Sequence, residues 1–158
     1  MITSEGDPVQ FVYRAVGVVL NGGRVLLHRA EQDDFWSLPG GRVESLETAA
    51  SALRREMWEE LGVEIYVERL IWVVEDFFEH AGTPYHELGL YFLMTAPGDS
   101  PLYHQSGPFV GDEENVKLLF QWHPLADLDR LPLYPTFLRK ALRAIPAVTE
   151  YIVHNDEK

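Results

Sequence analysis

Apolar positions along this chain recur with a period of two in most segments and near 3.6 in two others, which predicts strands with helices set between them. Phe11 to Leu20 (FVYRAVGVVL) reads as a strand ending at Asn21-Gly22-Gly23, a hairpin signal, with Arg24 to Arg29 as the returning strand. Leu38-Pro39-Gly40-Gly41 then breaks any regular element. A helix follows, with Ser45 as N-cap, Glu47 near the positive end of its dipole and Gly62 at its stop. At about 100° per residue, Leu46, Ala49, Ala50, Leu53, Met57 and Leu61 share one apolar arc about 120° wide.

Val63 to Phe78 is strongly strand-forming with a bend near Glu68-Arg69, His80 to Pro84 forms a hairpin tip, and Tyr85 to Thr95 returns. Ala96 to Glu114, rich in Pro, Gly, Ser and Asp, reads as a long loop of the kind that carries function. Val116 to Trp122 is one more strand. Tyr134 to Ile145 is an amphipathic helix with Pro135 in its first turn, and Tyr151 to Val153 an edge strand. No repeat or linker divides the chain, so residues 1–158 are expected to form a single domain of the α/β (α+β) class, a mixed sheet sandwiched between helices.

Composition narrows the function more than the fold. A chain of 158 residues is long enough to bury roughly 70% of its unfolded surface. Its 46% hydrophobic and 24% charged content is that of a globular protein. No apolar run reaches membrane-span length, and the acidic start MITSEGDPVQ does not resemble a secretory signal. Cysteine is absent, which removes thiolate catalysis and zinc–thiolate sites; a cytoplasmic location is the expectation. The net charge of −12 argues against a non-specific grip on nucleic-acid duplexes or anionic membranes. A small phosphorylated substrate brought in with metal ions remains compatible with it.

Arg55 to Val63 (REMWEELGV) places three carboxylates, Glu56, Glu59 and Glu60, within five residues of one helix. Like charges a turn apart repel, burying them unpaired costs more, and a divalent cation reverses that penalty. All three lie along one edge of the apolar arc, at the seam where the helix meets the body of the protein.

The segment Gly41 to Val63 resembles the Nudix box, G-x5-E-x7-R-E-U-x-E-E-x-G-U with U a bulky aliphatic residue. Gly41, Glu47, Arg55, Glu56, Met57, Glu59, Glu60, Gly62 and Val63 meet every position in register. Leu38-Pro39-Gly40-Gly41 is similar to the loop that leads into the box, and Phe120 to Leu125 to a strand-to-helix segment of the family. Two positions depart: Leu46 stands where members often carry glycine, and Met57 is softer than Ile, Leu or Val. Shifted loop geometry is the expected consequence.

The resemblance implies an α/β/α sandwich with a mixed, mostly antiparallel sheet. It also implies a hydrolase that cuts a phosphoanhydride in a nucleoside diphosphate linked to another moiety. Mg²⁺ or Mn²⁺ would be held by Glu56, Glu59 and Glu60 with a backbone carbonyl of Gly40 or Gly41, and Glu47 with Arg55 would orient them. Such a reaction needs phosphate charge neutralised and a positioned water. Candidates for the base that takes the water proton are Glu56, Glu113 and Glu114, with Glu75 and Glu87 behind them. For the substrate, Trp36, Phe78 and Tyr91, with Phe77, are candidates to stack on a base, and Arg29 and Arg42 to pair with phosphates. His80, His86 and His123 show no metal-ligand spacing.

Phe77 and Phe78 stand where other Nudix subfamilies carry a marker proline or tyrosine, which points away from ADP-ribose and dinucleoside polyphosphates. The acidic charge disfavours inositol pyrophosphates and long RNA. Nucleoside triphosphates, nucleotide sugars or related small diphosphates remain. The alternative from another class is a catalytically silent Nudix-fold module that senses nucleotides or binds protein. The family also implies homodimers formed through exposed strands and the C-terminal helix.

Overall fold

The computed structural model describes residues 8–156; most of the acidic start, residues 1–7, and residues 157–158 lie outside the described residues. The strands are β1 (Gln10–Val18), β2 (Leu20–Asn21), β3 (Arg24–Ala30), β4 (Gly40–Arg42), β5 (Tyr66–His80), β6 (Thr83–Thr95), β7 (Phe109–Glu113), β8 (Val116–Pro124) and β9 (Glu150–Asp156), with helices α1 (Ala49–Leu61) and α2 (Leu138–Ala141). They form two sheets where the sequence suggests one: a five-stranded mixed sheet ordered β4-β1-β6-β5-β9, and a four-stranded sheet ordered β2-β3-β8-β7. In the first, β1 runs parallel to β6 and β9 parallel to β5; the other pairings in both sheets are antiparallel.

Alternation along β1 decides which side of the sheet each layer covers. Ala15 and Val19 join Leu53 and Met57 of α1 in one buried cluster. Val16 and Val18 join Leu128, Leu133, Leu138 and Leu142 in a second. The strands therefore lie between α1 and the C-terminal helical segment, a mixed α+β sandwich. Among the described residues no helix is long and apolar enough to cross a membrane.

Several elements depart from the expectation, each for a local reason. The Gly40-Gly41 breaker is itself an edge strand, pairing Gly41 with Ala15 and Gly40 with Val16. β7 forms inside the supposed loop Ala96–Glu114 because Phe109 to Glu113 pairs with Val116 to Phe120. The C-terminal helix is confined to Leu138–Ala141; before it, Thr136 turns toward Asp156 on β9, its hydroxyl donating to Oδ1 at 2.6 Å. The bend in β5 appears as bulges between Val67 and Arg69 and between Leu70 and Trp72.

α1 starts later than Ser45. Thr48 is its N-cap, with Oγ1 accepting from the Ser51 amide at 3.1 Å. Leu46 is fully exposed at φ 68°, outside the apolar arc. That left-handed conformation is the one glycine adopts without penalty, and an L side chain there costs about 1–2 kcal/mol. Glycine also gives back part of this in unfolded-chain entropy. Leu46→Gly is expected to stabilise the protein by about 0.5–1 kcal/mol, read as a Tm rise of roughly 1–4 °C. An unchanged or lower Tm would refute it.

Candidate active site

α1 presents a different face from the one its apolar residues suggest. Ala49, Ala52, Leu53, Glu56, Met57 and Glu60 are its buried positions, so Glu56 and Glu60 sit within the packed face and only Glu59 stays outward. Gly41 of β4 makes this fit. A Cβ there would fall 2.3 Å from Glu56 Cδ, so the carboxylate occupies the space that any other residue would fill.

Arg55 ties this end of the helix together. Its Nη2 donates to Glu47 Oε1 at 2.7 Å and its Nε to Glu47 Oε2 at 3.2 Å, a bidentate pair. Nη1 donates to Glu56 Oε1 at 2.8 Å and Glu59 Oε2 at 3.2 Å, while Nη2 also reaches the Arg42 carbonyl at 3.2 Å. The guanidinium beside Glu47, with the Glu44 amide, holds the Glu47 carboxyl below its usual range. The same hydrogen bond raises Arg55 further above its ordinary value. One cation thus spans the loop, β4 and two helical turns.

Glu60 has no such partner. It is 4% exposed and neither carboxylate oxygen has a hydrogen-bond partner. Burial, then the nearby Glu113 and Glu56 carboxylates, push its pKa up to about 9. β7 packs against α1 and brings Glu113 within reach. One oxygen from each of Glu56, Glu60 and Glu113 can be chosen so that all lie within 4.8 Å of one another. Burial and then Glu56 raise Glu113 as well. Carboxylate oxygens so close and unpaired fit a hard dication, whose charge would offset the repulsion.

These groups line a cavity of about 1070 Å³ that also takes in Gly40, Gly41, Arg42, Glu59 and Glu114. Of the proposed substrate contacts, Arg29, Arg42 and Phe78 reach it, and Phe78 stacks on Tyr85 at 5.1 Å. Arg29 is partly committed, since its Nη1 donates to the Asp33 carbonyl at 2.7 Å. The structure does not bring Trp36 or Tyr91 to the cavity. Trp36 packs beside His123 and under Arg29, and Tyr91, 2% exposed, packs against Trp72 in the second cluster. Phe77 lies on the opposite sheet face, stacked on His86. Glu75 is held there too, by the Tyr151 hydroxyl and His86, whereas Glu87 lines the cavity.

Arg14 and His28 are among the cavity residues that went unnoticed in the sequence. Arg14 lines the wall beside Glu60 and Glu113, and its Nη2 donates to the Leu38 carbonyl at 3.3 Å. Its signal was a lone charge in the apolar run Phe11 to Leu20. His28, 5% exposed, is lowered to about 3 by burial and then by Arg14, so it stays neutral, with Nδ1 unpartnered.

Residues 12–145 match the NUDIX domain profile. A MutT-like protein of Streptomyces ambofaciens is 38% identical over 69 residues, which span 44% of this chain and 45% of that relative. The 8-oxo-dGTP diphosphatase of Buchnera aphidicola is 24% identical over 147 residues, 90% of this chain and 91% of its own. Among solved structures, a MutT NUDIX hydrolase from Burkholderia pseudomallei is 26% identical with a TM-score of 0.56, covering 82% of this chain and 95% of that one. With the profile covering most of the chain and the acidic helix between its limits, the chain belongs to the Nudix hydrolase family.

Proposed function

We propose that this protein is a metal-dependent pyrophosphohydrolase that cleaves a phosphoanhydride in a small nucleoside diphosphate-linked compound, with nucleoside triphosphates as the first candidates. The observation that carries this reading is Glu60, buried and unpartnered beside Glu56 and Glu113 in the cavity wall. A structural carboxylate would be paired; one kept bare is suited to a cation. Glu56, Glu60 and Glu113 would hold Mg²⁺ or Mn²⁺, with Glu59 and the Gly40-Gly41 backbone nearby. When bound, such an ion neutralises phosphate oxygens and lowers the pKa of water.

The chain's own groups do the rest. Arg55 and Glu47 hold Glu56 in place, and the cationic Arg14 and Arg42 face phosphate from the cavity wall. Water attacks one phosphorus, the anhydride oxygen leaves with the other phosphate, and a carboxylate takes the water proton. Glu114, which lines the same cavity and is not among those ligands, is the candidate for that last task. The 8-oxo-dGTP diphosphatase relative supports a nucleoside triphosphate as substrate.

The test is a panel of nucleoside triphosphates including 8-oxo-dGTP, with nucleotide sugars, ADP-ribose and dinucleoside polyphosphates, assayed with Mg²⁺ or Mn²⁺. Nucleoside monophosphate and pyrophosphate from triphosphates are expected, and none with chelator. Binding without product across the panel would sink the reading in favour of a nucleotide-sensing module.

A further inference from the structure

A second group of ligating side chains lines the same cavity on the wall formed by β5, β6 and β9. Strand register places Glu87, Asp76 and His154 side by side across these strands, and Asp156 follows two residues after His154 on the same face. Asp76, Glu87 and Asp156 reach the cavity; His154, half-buried, stands behind them. Asp76 is 3% exposed, and its Oδ1 has no hydrogen-bond partner. Among the described residues no Arg or Lys forms an ion pair with any of the three carboxylates.

The remaining contacts already have the spacing of ligands around one ion. His154 Nε2 and Asp156 Oδ1 lie 2.9 Å apart, a hydrogen-bond contact that keeps these two ligand-type atoms together. One atom each of Asp76, His154 and Asp156 lies within 4.8 Å of the other two. The Thr136 amide donates to Asp156 Oδ2 at 3.3 Å and its hydroxyl to Oδ1 at 2.6 Å, fixing that carboxylate. The hydroxyl also lies 3.0 Å from His154 Nε2.

We propose that Asp76, His154 and Asp156 form a second divalent-cation site, separate from the Nudix box, that takes an ion accepting both imidazole and carboxylate, such as Zn²⁺ or Mn²⁺. Asp76 and Asp156 line the cavity, so an ion held there would be open to it. Burial, then Asp156 and Glu87, push Asp76 up to about 7, consistent with a carboxylate that lacks its counter-charge.

This inference does not depend on hydrolysis, so its test uses a box variant. Thermal unfolding of Glu60→Gln with ZnCl₂ or MnCl₂ should show a Tm rise of roughly 5–10 °C at an ion concentration about 100 times Kd. Asp76→Asn and His154→Gln, each added to Glu60→Gln, should lose that rise. Both substitutions are near-isosteric, and circular dichroism of the metal-free double variants checks that they fold; a variant that does not fold is replaced by Asp156→Asn. No rise in Glu60→Gln, or an equal rise in folded double variants, would overturn the site. Failure here with hydrolysis intact leaves the box reading standing, and the reverse result leaves this one.

Discussion

Glu60→Gln is expected to lower kcat by about 10³-fold and, in chelator at pH 8, to raise Tm. The first effect follows from removing a charge that has no other partner in the fold. The second follows from linkage. Glu60 is pushed from its ordinary 4.5 up to about 9, so across that interval the folded chain keeps a proton that the unfolded chain releases. Metal-free stability therefore falls as pH rises from about 4.5 to 9. Glutamine carries no such proton. The variant's advantage should vanish near pH 4 and reach a few kcal/mol at pH 8, roughly 5–10 °C. Adding Mg²⁺ should reverse the order, because the wild type binds the ion on its native state. Wild-type kcat in the variant, or a variant less stable than wild type in chelator at pH 8, would refute the assignment.

How far such a site can be read from sequence depends on the range over which its parts are assembled. The helix carboxylates, Arg55 and Glu47 all lie between positions 47 and 60, and the Gly62 stop adopts the left-handed cap at φ 65°. Local periodicity was enough to place the acidic edge of α1 beside the body of the protein. It misjudged the rotation, because Leu46 was counted into the apolar arc while it lies outside the helix and in solvent. Ser45 and Thr48 are equally good capping types, so sequence alone could not choose between them.

The opposite cavity wall was not legible. Asp76, Glu87 and Asp156 meet only through the β5–β6 hairpin and a parallel β5–β9 pairing that joins residues nearly 80 positions apart. A one-residue slip in register would send each side chain to the other face, and no short-range pattern encodes that register. Tyr91 and Phe78 make the same point. Both are aromatics on neighbouring strands and both look like candidates to stack on a base, yet one is sealed beside Trp72 and the other lines the cavity.

Gly40→Ala should be among the most damaging single changes to stability. Gly40 has φ 153°, a region that L residues rarely enter. A Cβ there would fall 2.0 Å from the Ala15 carbonyl oxygen and 3.0 Å from Val16 Cα. Every neighbour is backbone, so no side chain can swing away, and β4 must leave β1. A loss of about 3 kcal/mol or more is expected, a Tm fall of roughly 6–12 °C. Metal uptake should weaken with it, since β4 carries Gly41 against Glu56 and the Arg42 carbonyl that anchors Arg55. Gly41→Ala is the instructive contrast. The three atoms nearest its Cβ all belong to the Glu56 side chain and none to backbone, so the fold should survive while that ligand is displaced and activity falls. If Gly40→Ala melted with the wild type, β4 would not be the rigid support that aims these carboxylates.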